Sequence, residues 1–251
     1  MAIRGVIFDL GHTLMVLDGT WPEVFERGVT HLSAFLEQQG LGLDGAAFGR
    51  ALLDRRKEGF ARARATRREV TAEESMRWTF ARFGLPDPDP RWVQGAIAAF
   101  FAFEGRRWHA EPQAGPLLRE LAGRGLRLGM FSNATHDPFI QAVVDRFGFR
   151  PWLKPALTSA GTGIRKPDPA AFQPILAAWG LPPDTVAMVG DTLEEDIVGA
   201  QLAGMRTVWI CARGDARQEG NRVDGTLAPA AVVPDATISR LEDLPGCLAK
   251  L

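Results

Sequence analysis

Gly5-Val6-Ile7-Phe8-Asp9-Leu10-Gly11 begins as a short apolar run and breaks at an acid, with a glycine two residues further on. A continuous apolar run of this length, closed by a turn signal, reads as a strand buried on both faces. Such strands belong to parallel sheets that carry helices on each side. The chain beyond Gly115 repeats the pattern. Strands are predicted over Leu126 to Phe131, Val186 to Val189, Thr207 to Ile210 and, with a weaker apolar signal, Ala236 to Ile238. Helical spacing separates them at Pro116 to Arg124, Pro138 to Phe147, Ala170 to Trp179 and Glu194 to Leu202. The expected fold class is therefore α/β, a Rossmann-like parallel sheet.

Between the first strand and the next lies a long block of helical sequence. Val24, Phe25, Val29, Leu32, Phe35 and Leu36 step by three and four through Trp21 to Gln39, which stops at Gly40. Leu43 to Arg68, Thr71 to Phe83 and Arg91 to Phe103 read as further helices, with Pro86 to Pro90 as a linker. The expected organisation is a core of residues 1–16 and 109–251, with residues 17–108 inserted as a helical cap.

With 251 residues, a formal net charge of −1, 46% hydrophobic and 24% charged residues, the chain falls among ordinary globular proteins rather than disordered or fibrous ones. A dedicated nucleic-acid binder would be strongly basic. No apolar run approaches the roughly 18–20 residues of a membrane span. The apolar opening meets Asp9 too early for a signal peptide, and Cys211 and Cys247 make neither a disulfide framework nor a thiolate zinc site. The expectation is a cytoplasmic protein without a nucleic-acid or membrane partner; no oligomeric state is read from the sequence.

In open parallel sheets, ligands bind beyond the carboxyl ends of the strands. The residues just past each strand here are Asp9, Ser132 with Asn133, and Asp191. One Asp at a strand end often does no more than cap a helix. Two of them on separate strands can share a hard cation such as Mg²⁺, which favours oxygen ligands and keeps substrate phosphate as another. Asp196 can reach back toward the same ion or favour a helix N-terminus. Lys166, in Arg165-Lys166-Pro167-Asp168-Pro169, sits on backbone stiffened by proline, where a lysine can act as a point charge on a phosphoryl group. Taken alone, a lysine there reads as a solvated surface side chain.

Four segments together resemble the motifs of the haloacid dehalogenase-like hydrolase superfamily, in that family's order: Phe8-Asp9-Leu10-Gly11-His12-Thr13-Leu14, Phe131-Ser132-Asn133, Gly163 to Pro169, and Val189-Gly190-Asp191-Thr192-Leu193-Glu194-Glu195-Asp196. The resemblance covers nearly the whole chain and identifies the inserted helices with the family's small cap. It implies phosphoryl transfer from a small phosphorylated substrate, with Asp9 as nucleophile. It further implies Mg²⁺ held by Asp9, the backbone carbonyl of Gly11, Asp191 and nearby Asp196, with Ser132, Asn133 and Lys166 at the substrate.

The chain departs from the family at one position. Phosphatases of the family read Asp-x-Asp-Gly-Thr, and here Gly11 replaces the second Asp, the group that protonates the leaving alcohol. General acid–base help of that kind is typically worth about 10²–10⁴-fold. His12 is one replacement acid by virtue of its near-neutral pKa; the plainer reading is a turn residue that tolerates left-handed backbone angles. Dehalogenases of the family place a Tyr at this point, and the chain contains none. Phosphonatases use a Schiff-base lysine in the cap, where Lys57 stands among charged neighbours. Arg62, Arg64, Arg67 and Arg68 read as a solvated helix face or as an attractor for anionic substrate, and Trp21 and Trp108 as packing near the cap hinges. A binding protein of the same fold, holding a phosphorylated ligand or partner without turnover, is the competing function.

Overall fold

The computed structural model describes residues 2–211 and 232–251. Six strands form a parallel sheet: β1 (Gly5–Phe8), β4 (Arg127–Ser132), β5 (Leu153–Thr158), β6 (Val186–Gly190), β7 (Arg206–Ile210) and β8 (Ala236–Ile238), in the order β5-β4-β1-β6-β7-β8. A two-stranded antiparallel pair, β2 (Met15–Leu17) with β3 (Trp108–Ala110), stands apart from it. All four residues of β1 are buried, as an apolar strand between two helical layers must be. Val6 and Phe8 point into one core with Met130 and Val189, while Ile7 points into the other with Phe131 and Met188. This alternation is the period-two pleat of a strand covered on both faces.

Strand order fixes where a ligand can sit. The chain passes from β1 to β4 and β5 on one side, then returns to β6, β7 and β8 on the other. The direction of winding reverses between β1 and β6, and that reversal opens a crevice at the carboxyl ends. Phe8 lies opposite Met130 on one side and Val189 on the other. The residues that follow these three strands therefore meet at one level.

Between β2 and β3 lie α1 (Trp21–Gln38), α2 (Gly45–Thr66), α3 (Ala72–Arg82) and α4 (Pro90–Arg107). Each begins on a side-chain cap: Thr20, Asp44, Thr71 and Asp89 accept from backbone N–H groups of the first turn, and Thr71 with Glu74 completes a reciprocal capping box. These helices bury a core of their own, containing Leu32, Leu36, Phe48, Leu52, Met76, Phe80, Ile97 and Phe100. No helix among the described residues is long and apolar enough to cross a membrane.

Three strands went unforeseen. Strand β5 carries Lys154 and Pro155, which interrupt its apolar run; among the described residues it is an edge strand pairing only with β4, where proline is tolerated. Strands β2 and β3 are three residues each, too short for an alternation to register. The single helix expected over Glu194 to Leu202 begins instead as a π-helical turn, Leu193–Ile197, before α5 (Val198–Leu202). That over Ala170 to Trp179 opens with a 3₁₀ turn, Pro169–Ala171.

Candidate active site

Three adjacent strands deliver the site. Asp9 follows β1, Ser132 ends β4 and Asp191 follows β6, all at the carboxyl edge. Asp9 and Ser132 are buried, and Asp191 is half-buried. One carboxylate oxygen from each of Asp9, Asp191 and Asp196 falls within 4.8 Å of the others.

Lys166 lies at the centre of this cluster. Its ammonium is 2.6 Å from Asp9 Oδ1, 2.6 Å from Asp196 Oδ1 and donates to the Phe131 carbonyl at 3.0 Å. The side chain is 1% exposed, so the surface reading of this lysine is corrected: the Asp9 and Asp196 carboxylates and the Phe131 carbonyl draw the charge inside. Burial alone would lower its pKa, but the charges of Asp196 and Asp9 prevail and raise it, so the ammonium stays protonated. Asp191 and Asp196 respond in the opposite sense to the usual paired acid. Burial raises both, and the neighbouring Asp9 charge raises both further.

The loops around this cluster are held by backbone clamps. Asn133 Oδ1 accepts from the Lys166 N–H at 2.9 Å, while Asn133 Nδ2 donates to the Lys166 carbonyl at 3.0 Å and to Glu195 at 2.9 Å. Its amide is thus engaged in fixing the lysine loop beside β4. Asp196 Oδ2 accepts from Thr192 N–H at 3.0 Å, folding the π-helical turn back on itself. Gly190 is required there, since a Cβ would collide with the Asp196 carboxyl. Gly199 allows α5 to close on the lysine loop, where a Cβ would come within 2.9 Å of Pro167 backbone.

Gly11 and His12 form the turn after β1. His12 has φ of 58°, in the left-handed region, and its ring meets Trp108 edge-on at 5.4 Å. The backbone alone thus accounts for a residue type tolerant of that region. Trp108 is buried on β3 and its indole N–H donates to Glu104 at 3.1 Å. Lys57 is exposed, as are Arg62, Arg67 and Arg68, with Arg64 half-buried.

Several residues here carried no sequence signal of their own. Glu69, between α2 and α3, accepts from Ser159 Oγ at 2.6 Å and lies 3.5 Å from Arg165, which also pairs with Glu195 at 3.0 Å. The same connection hydrogen-bonds to the core backbone, Arg165 N–H to Arg67 O at 3.1 Å and Glu69 N–H to Gly163 O at 3.1 Å. Cap and lysine loop are therefore joined by a strand-like seam. Such a seam depends on chain segments far apart in sequence, so no local pattern announces it.

A parallel sheet with an inserted helical cap, and a lysine beside three carboxylates at the carboxyl edge of the sheet, define a Rossmann-like α/β fold with an acidic site at its switch point. The family model described as haloacid dehalogenase-like hydrolase matches residues 3–204, and the chain belongs to that family. Phosphoserine phosphatase of Thermus thermophilus is 39% identical over 114 residues, 45% of this chain and 45% of that protein. Glyceraldehyde 3-phosphate phosphatase of Methanopyrus kandleri is 30% identical over 165 residues, 66% of this chain and 67% of that one. The match thus spans less than half of the first relative and two thirds of the second. Among solved structures, the 2-haloacid dehalogenase from Pseudomonas syringae superposes with a TM-score of 0.69 at 27% identity, over 99% of both chains.

Proposed function

We propose that the chain is a Mg²⁺-dependent hydrolase that removes the phosphoryl group from a small phosphorylated metabolite. The observation that carries this reading is the Lys166 ammonium held 2.6 Å from both Asp9 and Asp196, inside a cluster of three carboxylates. A pure scaffold has no physical need for so costly an arrangement. The donor set fits a hard divalent cation, because the three carboxylates crowd one space and offer only oxygen, and because burial and the neighbouring Asp9 charge raise the pKa of Asp191 and Asp196. Asp9, Asp191 and Asp196, with the Gly11 carbonyl, would hold Mg²⁺. When bound, the ion supplies the charge neutralisation that lets a carboxylate approach a phosphate dianion.

In the reaction, an Asp9 carboxylate oxygen attacks phosphorus, and the bond from phosphorus to the leaving oxygen breaks. Ser132 and Lys166 bind the transferring oxygens, with Asn133 keeping Lys166 in register. Water then attacks the phosphoryl group on Asp9, releasing inorganic phosphate and restoring the carboxylate. No carboxylic acid stands at position 11 to protonate the leaving oxygen. Substrates whose leaving group departs without a proton, such as acyl or anomeric phosphates, are therefore favoured over alkyl esters.

Both relatives named above are phosphatases, which favours phosphoryl transfer over carbon–halogen cleavage. Carbon–halogen cleavage is disfavoured by Gly11 standing where the resemblance to dehalogenases calls for Tyr. The test is phosphate release from acyl, anomeric and alkyl phosphates with and without Mg²⁺, with Asp9→Asn as control. Turnover that survives chelation or the Asp9 substitution contradicts the proposal. No turnover by folded, metal-loaded protein leaves the binding-protein reading in its place.

A further inference from the structure

Two ion pairs join the same two loops. Lys166 and Asp196 form a deep pair at 2.6 Å; Arg165 and Glu195, the residue before each, form an outer pair at 3.0 Å. The outer pair closes a ring. Glu195 Oε1 accepts from the Arg165 guanidinium and its Oε2 accepts from Asn133, whose amide holds both the N–H and the carbonyl of Lys166. The other terminal nitrogen of Arg165 lies 3.5 Å from Glu69, which the connection between α2 and α3 brings in from the cap. One buried guanidinium therefore spans the lysine loop, the turn after β6 and the cap connection.

The choice of arginine points to this fork. Its Nε–H is buried without an acceptor among the described residues, a cost that a lysine would not carry. What arginine adds is a planar group that aims two nitrogens at two carboxylates in fixed directions. The deep pair cannot tie the loops in this way. In the proposed reaction Lys166 turns its charge to the phosphoryl oxygens and Asp196 serves the cation, so each must hold its place without the other. The outer pair touches neither substrate nor cation in that reading, and is free to keep the loops in register throughout.

We infer that Arg165 is a positioning residue: by bridging Glu69 of the cap to Glu195, it sets the spacing of the loops that carry Lys166 and Asp196, and so the geometry in which the carboxylates receive Mg²⁺. This rests on the Mg²⁺-dependent reading above and deepens it by a residue outside the ligand set. Supporting groups of this kind are worth about 10–100-fold in metal affinity. The sign of the effect separates positioning from simple electrostatics. Removing a positive charge near three carboxylates should, by Coulomb attraction alone, tighten Mg²⁺ binding. Loss of positioning weakens it.

The test is calorimetric titration of the full-length protein with magnesium chloride, without substrate, the fold of each variant being checked by circular dichroism. Arg165→Met should weaken Mg²⁺ binding by about 10–100-fold. Arg165→Lys, which keeps the charge and loses the fork, should weaken it by less. Arg56→Met is the control for a lost buried guanidinium. Arg56 lies buried on α2 and donates to Thr135 at 3.3 Å rather than to either loop, so its removal should leave Mg²⁺ affinity at the wild-type value. Unchanged or tighter binding in folded Arg165→Met, or an equal weakening in Arg56→Met, overturns the inference. If Arg165→Met does not fold, wild-type affinity in Arg165→Lys overturns it equally. Wild type that binds no Mg²⁺ refutes the metal reading and this inference together. Binding that needs Arg165 but leads to no phosphate release refutes the hydrolase reading and leaves the positioning role standing.

Discussion

Replacing Gly11 by Asp should convert a protein limited by leaving-group protonation into one that is not. The structure allows the change. Gly11 is not among the residues of positive φ, so an L side chain meets no backbone penalty there. A Cβ built on it finds its nearest neighbour, Trp108 Cη2, at 3.6 Å, an ordinary contact. The new carboxyl would extend from the turn beside Asp9. A well-placed general acid is worth about 10²–10⁴-fold, or roughly 2.7–5.5 kcal/mol of barrier at 1.36 kcal/mol per decade. Part of that gain is offset by a further negative charge near Asp9, Asp191 and Asp196. The expected net effect is a rise of at least about tenfold in kcat on alkyl phosphates, with little change on acetyl phosphate. The assay is steady-state phosphate release over a series of leaving groups, in wild type and Gly11→Asp at equal Mg²⁺. The slope of rate against leaving-group pKa should flatten in the variant. An unchanged alkyl-to-acyl ratio in folded Gly11→Asp would refute the reasoning that proton transfer is what the glycine removes.

Two other outcomes follow from the buried charges. Lys166→Met leaves Asp9 and Asp196 facing each other without the ammonium that lies 2.6 Å from each, and should cost about 3–5 kcal/mol of stability. Mg²⁺ should restore part of that loss, so thermal unfolding in chelator and in Mg²⁺ should differ more for the variant than for wild type; a variant as stable as wild type in chelator would contradict this. Glu104 is raised in pKa mainly by burial, against a donated Trp108 hydrogen bond and the Arg56 charge. The folded chain therefore holds this proton to higher pH than the unfolded chain, whose value stays near 4.5. Its contribution to stability is complete below that pH and declines as pH rises through the folded value. Glu104→Gln should flatten the decline in denaturant midpoint above pH 4.5, and an identical pH profile for the two proteins would show that Glu104 is not its source.

Asp9, Ser132 and Asp191 were legible because each follows an apolar strand, and strand ends converge wherever a sheet is parallel. Lys166 was legible only with its neighbours: by itself it looks like surface, and what buries it is a pair of carboxylates supplied by β1 and by the turn after β6. The left-handed turn at His12 was read from residue type. Strand β5 was lost because an edge position tolerates the Lys and Pro that a central strand excludes. Glu69, Arg165 and Arg56 were lost for another reason. Their significance lies in contacts between cap and core across large sequence separations, and a charged residue on a helix gives no local sign of being buried. Arg55-Arg56-Lys57 illustrates the limit, since the central residue is enclosed while Lys57 beside it is exposed.

The central claim is that Asp9 carries the phosphoryl group. The most direct measurement is acid quench of the enzyme within the first turnover on acetyl phosphate and Mg²⁺, followed by borohydride trapping and peptide mass analysis. The account predicts a reduced acyl-phosphate mark on Asp9 in the peptide containing Phe8-Asp9-Leu10, absent in chelator and in Asp9→Asn. Phosphate release at an undiminished rate with no mark on Asp9, or with the mark on another residue, would contradict it.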